Sequence, residues 1–198
     1  MNVLLSTTYF GPVQWYQKLY RADEVWIERH ETFQKQTYRN RCIIATTQGT
    51  QALTVPVERG SSQLIKDIRI SDHGNWRHLH WNALQSAYGD SPFFMYYEDD
   101  LRPFFEQRWN FLFDFNEAIR ERLCELLDIR PTVHHTTVYQ KQPFTDFRES
   151  INPKHPAPDP DFVPRRYYQV YEAKHGFQPN LSIVDLLFNM GPEAIFYL

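Results

Sequence analysis

The stretch NVLLSTTYFGPVQWYQKLYRADEVWIE, residues 2–28, decides the fold class. Its first part, 2–8, is an apolar run that becomes polar at its end, which predicts a buried strand. Pro12 suits the first turn of a helix, and apolar residues recur at helical spacing over 12–21. The run EVWIE at 24–28 predicts a second strand. Strand, helix and strand in this order indicate a βαβ unit, and therefore a parallel sheet.

The remaining patterns predict a single α/β domain, with helices packed around a parallel or mixed sheet. Further strands are predicted at 37–45, 51–57, 65–71 and 132–139, the first two joined by a turn at Gln48-Gly49-Thr50. Helices are predicted at 76–88, at 92–107 with a break near Pro103, and from 112 to about 127. Near the end, Asn180 or Ser182 can cap a last helix, with Asp185 completing a capping box and Gly191 closing the helix.

Proline density divides the chain into three parts. Residues 143–164 hold six of the 13 prolines, so regular structure is not expected there. We therefore expect an α/β core at 1–140, a Pro-rich arm or lid at 141–166, and a C-terminal segment at 167–198 whose helix docks on the core.

The bulk composition excludes several classes of protein. A length of 198 residues with 42% hydrophobic and 16% aromatic residues supplies a core, and a formal net charge of −3 gives no general attraction to nucleic acid. Cys42 and Cys124 lie in apolar patterns, so they predict buried thiols rather than a disulfide framework. The chain starts without the pattern of a signal peptide and has no apolar run of about 18 residues. We expect a cytoplasmic protein without a membrane span.

The first βα turn is a candidate anion site. Loops that lead from a parallel strand into a helix present backbone N–H groups and the positive end of the helix dipole. Tyr9 supplies a hydroxyl there, Gln14 an amide and Lys18 a cation. The alternative is that Tyr9 belongs to the core and Gln14 to the surface.

The stretch QTYRNR, residues 36–41, is a second candidate for binding an anion. On a strand, Arg39 and Arg41 project from one face, where two guanidinium groups can hold a phosphate, while Tyr38 and Asn40 project from the other. The alternative is an exposed edge strand that is protected by its charges.

His30 and Glu31 follow the second predicted strand, where catalytic groups of α/β proteins concentrate. A histidine with a carboxylate can serve as a general acid or base, and the alternative is two surface loop residues. His78 is a candidate ligand-binding residue, whereas His80 falls on an apolar helix stripe and predicts a core residue. No spacing is typical of a metal site, and no cofactor is predicted.

Several motifs together resemble the WbqC-like protein family. They are Tyr9-Phe10, Pro12, Lys18, Ala22-Asp23, Lys35, Tyr38, Asn40-Arg41, Leu53-Thr54-Val55-Pro56, Trp76-Arg77-His78, and Tyr88 followed by Phe93-Phe94. The resemblance covers roughly residues 1–130 and, less clearly, the C-terminal helix. The chain departs from the family pattern at Ser6-Thr7-Thr8 and at Glu28-Arg29-His30-Glu31.

The resemblance implies a role in surface-polysaccharide biosynthesis. We expect a group-transfer enzyme that acts on a nucleotide-linked or phosphate-bearing sugar, a small-molecule substrate. The alternative is a non-catalytic protein that binds a sugar-phosphate or organises a biosynthetic complex. The segment PVQWYQ, 12–17, also resembles the phosphate-binding turn of nucleotidylyltransferases, with glutamines in place of both histidines. That likeness implies a nucleotidylyltransferase-like or Rossmann-like start of the fold, but not that reaction.

Overall fold

The chain folds around a parallel sheet with an antiparallel hairpin beside it. The computed structural model describes residues 1–141 and 145–198. Within those residues the strands, in chain order, are β1 (Asn2–Ser6), β2 (Glu24–Glu28), β3 (Arg41–Thr46), β4 (Gly49–Thr54), β5 (Val133–His135) and β6 (Thr145–Asp146). The parallel sheet has the order β5–β2–β1–β6, and β3 pairs with β4. The predicted α/β class, with helices flanking a parallel sheet in one domain, is confirmed.

Helices flank this sheet. In the described residues the α-helices are α1 (Val13–Arg21), α2 (Trp76–Tyr88), α3 (Phe94–Leu101), α4 (Pro103–Glu106), α5 (Leu112–Leu126), α6 (Glu172–His175) and α7 (Ile183–Met190). The helix predicted at 76–88 coincides with α2, and the predicted break near Pro103 separates α3 from α4. None of the helices in the described residues combines the length and the apolarity needed to span a bilayer.

The βαβ unit predicted from the opening stretch is present. β1 and β2 lie side by side and parallel, with Val3 paired to Val25 and Leu5 to Ile27. All four side chains are fully buried, and burying each of them stabilises the fold by about 1.5–3 kcal/mol. The narrower likeness to a nucleotidylyltransferase-like or Rossmann-like start stays a prediction.

The N-terminus of α1 is covered by the C-terminal part of the chain. The amide of Val13 donates to the carbonyl of Leu181 at 3.0 Å, and the amide of Gln14 donates to Asn180 Oδ1 at 2.9 Å. These first-turn N–H groups are the ones that an anion at a helix N-terminus would use. Because protein acceptors already occupy both of them, the docked C-terminal segment covers the anion site predicted at this turn.

The C-terminal helix α7 is buried over almost its whole length. Ser182 caps it, with Oγ accepting from the amide of Val184 at 3.4 Å. Asp185 does not complete the predicted capping box, because its carboxylate instead accepts from the hydroxyl groups of Tyr88 at 2.9 Å and Tyr167 at 2.6 Å. Burial raises the pKa of Asp185, although these hydrogen bonds partly offset the effect. Asp185 therefore ties α7 to α2 and to the segment before α6.

Aromatic side chains fill much of the core. Phe115 of α5 packs against Tyr9 and Trp76, with ring centroids 5.9 Å and 6.0 Å apart. Cys42 and Cys124 are buried free thiols, as predicted, and burial raises the pKa of Cys124 to about 11. The high aromatic content of the sequence is therefore used for packing between the helices and the sheet.

Two strand predictions are wrong. The strand predicted at 37–45 begins only at Arg41, because the chain before it turns, with a positive φ of 61° at Gln36. Arg39 and Arg41 therefore do not project together from one strand face. At 65–71 the chain forms a 3₁₀ turn, Ile65–Asp67, and then isolated bridges.

The Pro-rich arm predicted at 141–166 contains part of the sheet. β6 lies within it and pairs in parallel with β1, with Val3 opposite Thr145 and Leu4 opposite Asp146. A strand of two residues has no recognisable periodicity, so no sequence pattern predicts it. Pro143, one of the prolines of the predicted arm, lies outside the described residues.

Candidate functional site

A polar cleft lies beyond the ends of β2, β5 and β6, at the carboxyl edge of the parallel sheet. Its volume is about 470 Å³. The lining side chains that carry ionisable or aromatic groups are His30, Glu31, Tyr139, Asp146, Arg148 and Glu149. They come from three separate parts of the chain, which the parallel register brings to the same edge. Ligands of open α/β sheets bind at this edge.

Glu31 anchors one wall of the cleft. Arg39 donates to both of its carboxylate oxygens, from Nε at 2.9 Å and from Nη2 at 2.7 Å. The hydroxyl of Ser6, the last residue of β1, donates to the same carboxylate at 3.1 Å. Glu31 and Arg39 are both buried, so this is a two-point ion pair of the kind that fixes geometry as well as charge.

Glu28 and Arg148 form the floor beneath the cleft. The carboxylate of Glu28 is fully buried and accepts from the Thr136 hydroxyl at 2.6 Å, the Gln140 amide at 3.0 Å and Arg148 Nη1 at 3.2 Å. The other guanidinium nitrogens of Arg148 contact Asp146, with Nη2 at 2.7 Å from Oδ2. This network joins the ends of β2 and β6 to the segment that follows β5.

His30 is the cleft residue best placed to move a proton. Its backbone amide is fixed by Glu28 Oε1 at 2.9 Å, and its side chain is half-buried in the cleft wall. No residue in the described parts of the chain hydrogen-bonds its ring. Nearby, the guanidinium of Arg148 stacks 4.8 Å from the ring centroid of Tyr139. An imidazole held by its backbone but unengaged at its ring can exchange a proton with a ligand.

Charge in the cleft favours hydroxyl-bearing ligands over bare anions. Four carboxylates, those of Glu28, Glu31, Asp146 and Glu149, surround the guanidinium groups of Arg39 and Arg148. Four negative against two positive groups leave a formal excess of two negative charges. Carboxylate oxygens accept hydrogen bonds from hydroxyl groups, so the cleft suits a ligand that carries hydroxyl groups better than a free phosphate.

Two buried hydroxyl groups lie under the end of β1, without a partner among the residues that the structure describes. Thr7 and Thr8 are buried, and no described residue hydrogen-bonds either Oγ1. Both line a small cavity of about 10 Å³ beside Arg39, close to the smallest space that holds a water molecule. No group of three or more His, Cys, Asp or Glu side chains in the described residues is arranged to hold a metal ion.

Gln14 and Lys18 lie outside the cleft and hold the Pro-rich arm. Lys18 Nζ lies 2.7 Å from Asp159 Oδ2, and the Gln14 side-chain amide donates to the same oxygen at 2.8 Å. Burial alone would raise the pKa of Asp159, but the hydrogen bonds from Lys18 and Gln14 lower it below its ordinary value. The anion that meets these residues is thus a carboxylate of the chain itself.

Tyr9, Tyr38 and Asn40 are core residues. The Tyr9 hydroxyl lies 2.8 Å from His80 Nδ1, and burial lowers the pKa of His80 to about 4, so this imidazole is neutral as the core prediction requires. Burial raises the pKa of Tyr38 to about 12. Asn40 Nδ2 donates to the carbonyl of Val55 at 2.9 Å, which fixes the chain entering β3.

Arg41 and His78 lie apart from the cleft. Arg41 Nε donates to Thr54 Oγ1 at 3.1 Å across the β3–β4 hairpin, where the pair is exposed. His78 lies on the exposed side of α2 and lines a different pocket. Of the predicted site residues, the structure therefore brings together His30, Glu31 and Arg39 only.

Sequence reasoning missed Glu28, Tyr139, Asp146 and Arg148. Glu28 ends a correctly predicted strand, so the rule that sites form at strand ends could have found it. Tyr139 stands in a segment predicted as strand, which hid its position beyond β5. No signal identified Asp146 and Arg148, because the strand that places them has only two residues.

A parallel α/β domain with a polar cleft beyond its strand ends has the architecture in which open α/β sheets place their ligand sites. The chain belongs to the WbqC-like protein family, whose model matches residues 7–150 and 159–197. This confirms the resemblance found in the sequence motifs.

A curated relative also matches the chain over most of its length. It is the "Uncharacterized protein Rv1507c" of Mycobacterium tuberculosis (strain ATCC 25618 / H37Rv), 29% identical over 207 residues, with 89% of this chain and 88% of the relative covered. No solved structure matches the chain.

Proposed function

We propose that the protein is a group-transfer enzyme acting on a nucleotide-linked or phosphate-bearing sugar in surface-polysaccharide biosynthesis, and that the sugar binds in the cleft. The observation that carries the proposal is the imidazole of His30, which no described residue hydrogen-bonds, in a cleft whose buried carboxylates and guanidinium groups are paired. The polysaccharide pathway is proposed from the family resemblance.

His30 is the proposed acid–base group. It takes the proton from a sugar hydroxyl while that oxygen bonds to the transferred group and the leaving group of the donor departs. Glu31 is held by Arg39 and Ser6, so its proposed role is to orient the sugar through a fixed carboxylate rather than to move a proton. Tyr139 and the Asp146–Arg148 pair are proposed to form the wall of the cleft on the other side of the sugar.

The test follows product formation directly. The protein is incubated with a set of nucleotide-sugars and sugar-phosphates, with acyl and aminoacyl donors added in turn, and products are detected by mass spectrometry. Replacing a general base typically costs 10²–10⁴-fold in rate, so His30→Gln should reduce turnover by roughly that factor. The matched control is His155→Gln, because His155 is exposed in the arm and does not line the cleft.

A non-catalytic sugar-phosphate-binding protein is the second candidate. It is favoured by the pairing of the cleft carboxylates, because Glu31 and Asp146 are held by Arg39 and Arg148 and are therefore suited to accept hydrogen bonds from a sugar rather than to exchange a proton. Calorimetric binding of a sugar ligand, without product from any donor and with affinity unchanged in His30→Gln, would select this candidate. No binding of any such ligand, with or without donors, would exclude both.

A further inference from the structure

A second pocket, with different chemistry, lies beside the N-terminal half of α2. Its volume is about 390 Å³, and none of its lining residues lines the cleft. Arg77 and His78 of α2, Arg102 before α4, and Arg108 after it contribute the basic groups. We propose that this pocket binds an organic phosphate, with the phosphate on the arginines and a planar ring on the aromatic side chains beside them.

Arg77 is the proposed anchor for the phosphate. Its Nη1 donates to Asp72 Oδ1 at 2.7 Å, and its guanidinium stacks 4.7 Å from the ring centroid of Trp76. Its Nε and Nη2 are covered from bulk water, and no acceptor for them lies among the residues that the structure describes. Buried donors without acceptors are costly, so a rotation of the Arg77 side chain toward an acceptor brought by a ligand in the pocket is favoured.

The other arginines of the pocket are available to a ligand. Arg108 has 80% of its side chain exposed and reaches Asp72 only at 3.5 Å. Arg102 is paired with Asp99, whose side chain is 84% exposed. Exposed ion pairs contribute little net free energy, so a phosphate can replace these carboxylates at low cost. Such availability distinguishes these groups from Arg39 and Arg148.

The charge balance and the aromatic wall narrow the class of ligand. Three guanidinium groups face two lining carboxylates, those of Asp72 and Glu106, which leaves a formal excess of one positive charge. The half-exposed Trp81 packs against Phe105 with ring centroids 5.5 Å apart, and both line the pocket. A nucleotide carries both a phosphate for the arginines and a planar base for this wall.

The inference goes beyond the proposed function, because it concerns a site that shares no lining residue with the cleft. Isothermal titration calorimetry on the full chain is the test, with ADP, inorganic pyrophosphate and adenosine as separate probes. We expect ADP to bind more tightly than pyrophosphate, and adenosine to bind weakly or not at all. Arg77→Gln should lower the affinity for ADP at least tenfold, and Trp81→Leu should lower it for ADP but not for pyrophosphate.

Matched variants keep the result interpretable. Arg130→Gln removes the same charge from an exposed position outside the pocket and should leave ADP binding unchanged. His30→Gln should also leave it unchanged, which separates this site from the cleft. If circular dichroism shows that Arg77→Gln does not fold, Arg102→Gln, at a half-exposed position, is used in its place. Failure of ADP to bind, or equal ADP affinity in the native protein and in the folded pocket variant, would overturn the proposal.

Discussion

Arginine side chains have opposite surroundings in the two pockets. In the cleft, Arg148 uses all three guanidinium nitrogens on partners from its own chain, and Arg39 makes a two-point pair with Glu31. In the pocket beside α2, Arg77 has one engaged nitrogen and two that no described residue accepts from. The same residue type is therefore satisfied by partners within the fold at one site and keeps donors without a described acceptor at the other.

This difference shows that a count of arginines does not locate an anion site. What matters is whether carboxylates at the same depth already satisfy the guanidinium groups. Burying a charge is costly unless it is paired, so the deeply buried arginines are paired with acids of the chain. Arginines near the surface, with exposed partners, keep their capacity to bind.

Arg148→Leu is expected to have the largest effect on stability. It leaves the fully buried carboxylate of Glu28 without its counter-charge, and breaking a buried pair from one side costs about 3–5 kcal/mol. Urea denaturation monitored by circular dichroism measures the free energy of unfolding. A loss below about 1 kcal/mol would show that the network under the cleft does not support the fold.

Asp159→Asn is expected to have the next largest effect. It removes a charged partner from Lys18 and Gln14, and hydrogen bonds to charged groups contribute about 1.5–3 kcal/mol. Because the pKa of Asp159 is lowered in the folded protein, its contribution is present above the unfolded value, about 3.9, and is lost as the pH falls through the folded value.

The pH dependence provides a control for this second prediction. Unfolding free energies of the native protein and of Asp159→Asn should differ at pH 7 and converge in acid, below about pH 4. A difference that is the same at pH 7 and pH 3 would contradict the assigned role of the Asp159 carboxylate in holding the arm.

Arg77→Leu should change stability by less than about 1 kcal/mol without ligand, because it removes unsatisfied donors and leaves behind only Asp72, which is solvated. Comparing Arg148→Leu with Arg77→Leu tests the difference between the two pockets directly, since both variants replace an arginine by a leucine. A loss with Arg77→Leu as large as with Arg148→Leu, measured by urea denaturation, would remove the contrast between the two pockets.

Arg41→Ala should have the smallest effect. Its guanidinium contacts one exposed threonine hydroxyl, and surface substitutions of this kind stay within about 0.5 kcal/mol. We also expect no change in the binding of sugar ligands to the cleft, since Arg41 does not line it. Calorimetry with the same nucleotide-sugars checks this, and weaker binding in Arg41→Ala would extend the cleft to the hairpin.

Local patterns predicted much of the fold. The apolar strands β1 and β2, the amphipathic helix α2 and the break at Pro103 follow from side-chain periodicity and backbone restriction, which act over a few residues. The same patterns misplaced the start of β3, since the turn before it depends on Asn40 bonding to Val55, fifteen residues away. They also missed β6, whose two residues are placed by pairing with β1.

Sequence patterns alone predicted the βαβ start, the aromatic core, the family, and the position of His30 and Glu31 at the end of a strand. The partner of each buried charge emerged only from the folded chain: Arg39 pairs with Glu31, Arg148 with Glu28, and Lys18 with Asp159. The difference arises because the two kinds of interaction act over different distances along the chain. Periodicity and turn preferences are properties of neighbouring residues, whereas the energy of a buried charge depends on which distant acid or base the fold brings within hydrogen-bonding distance.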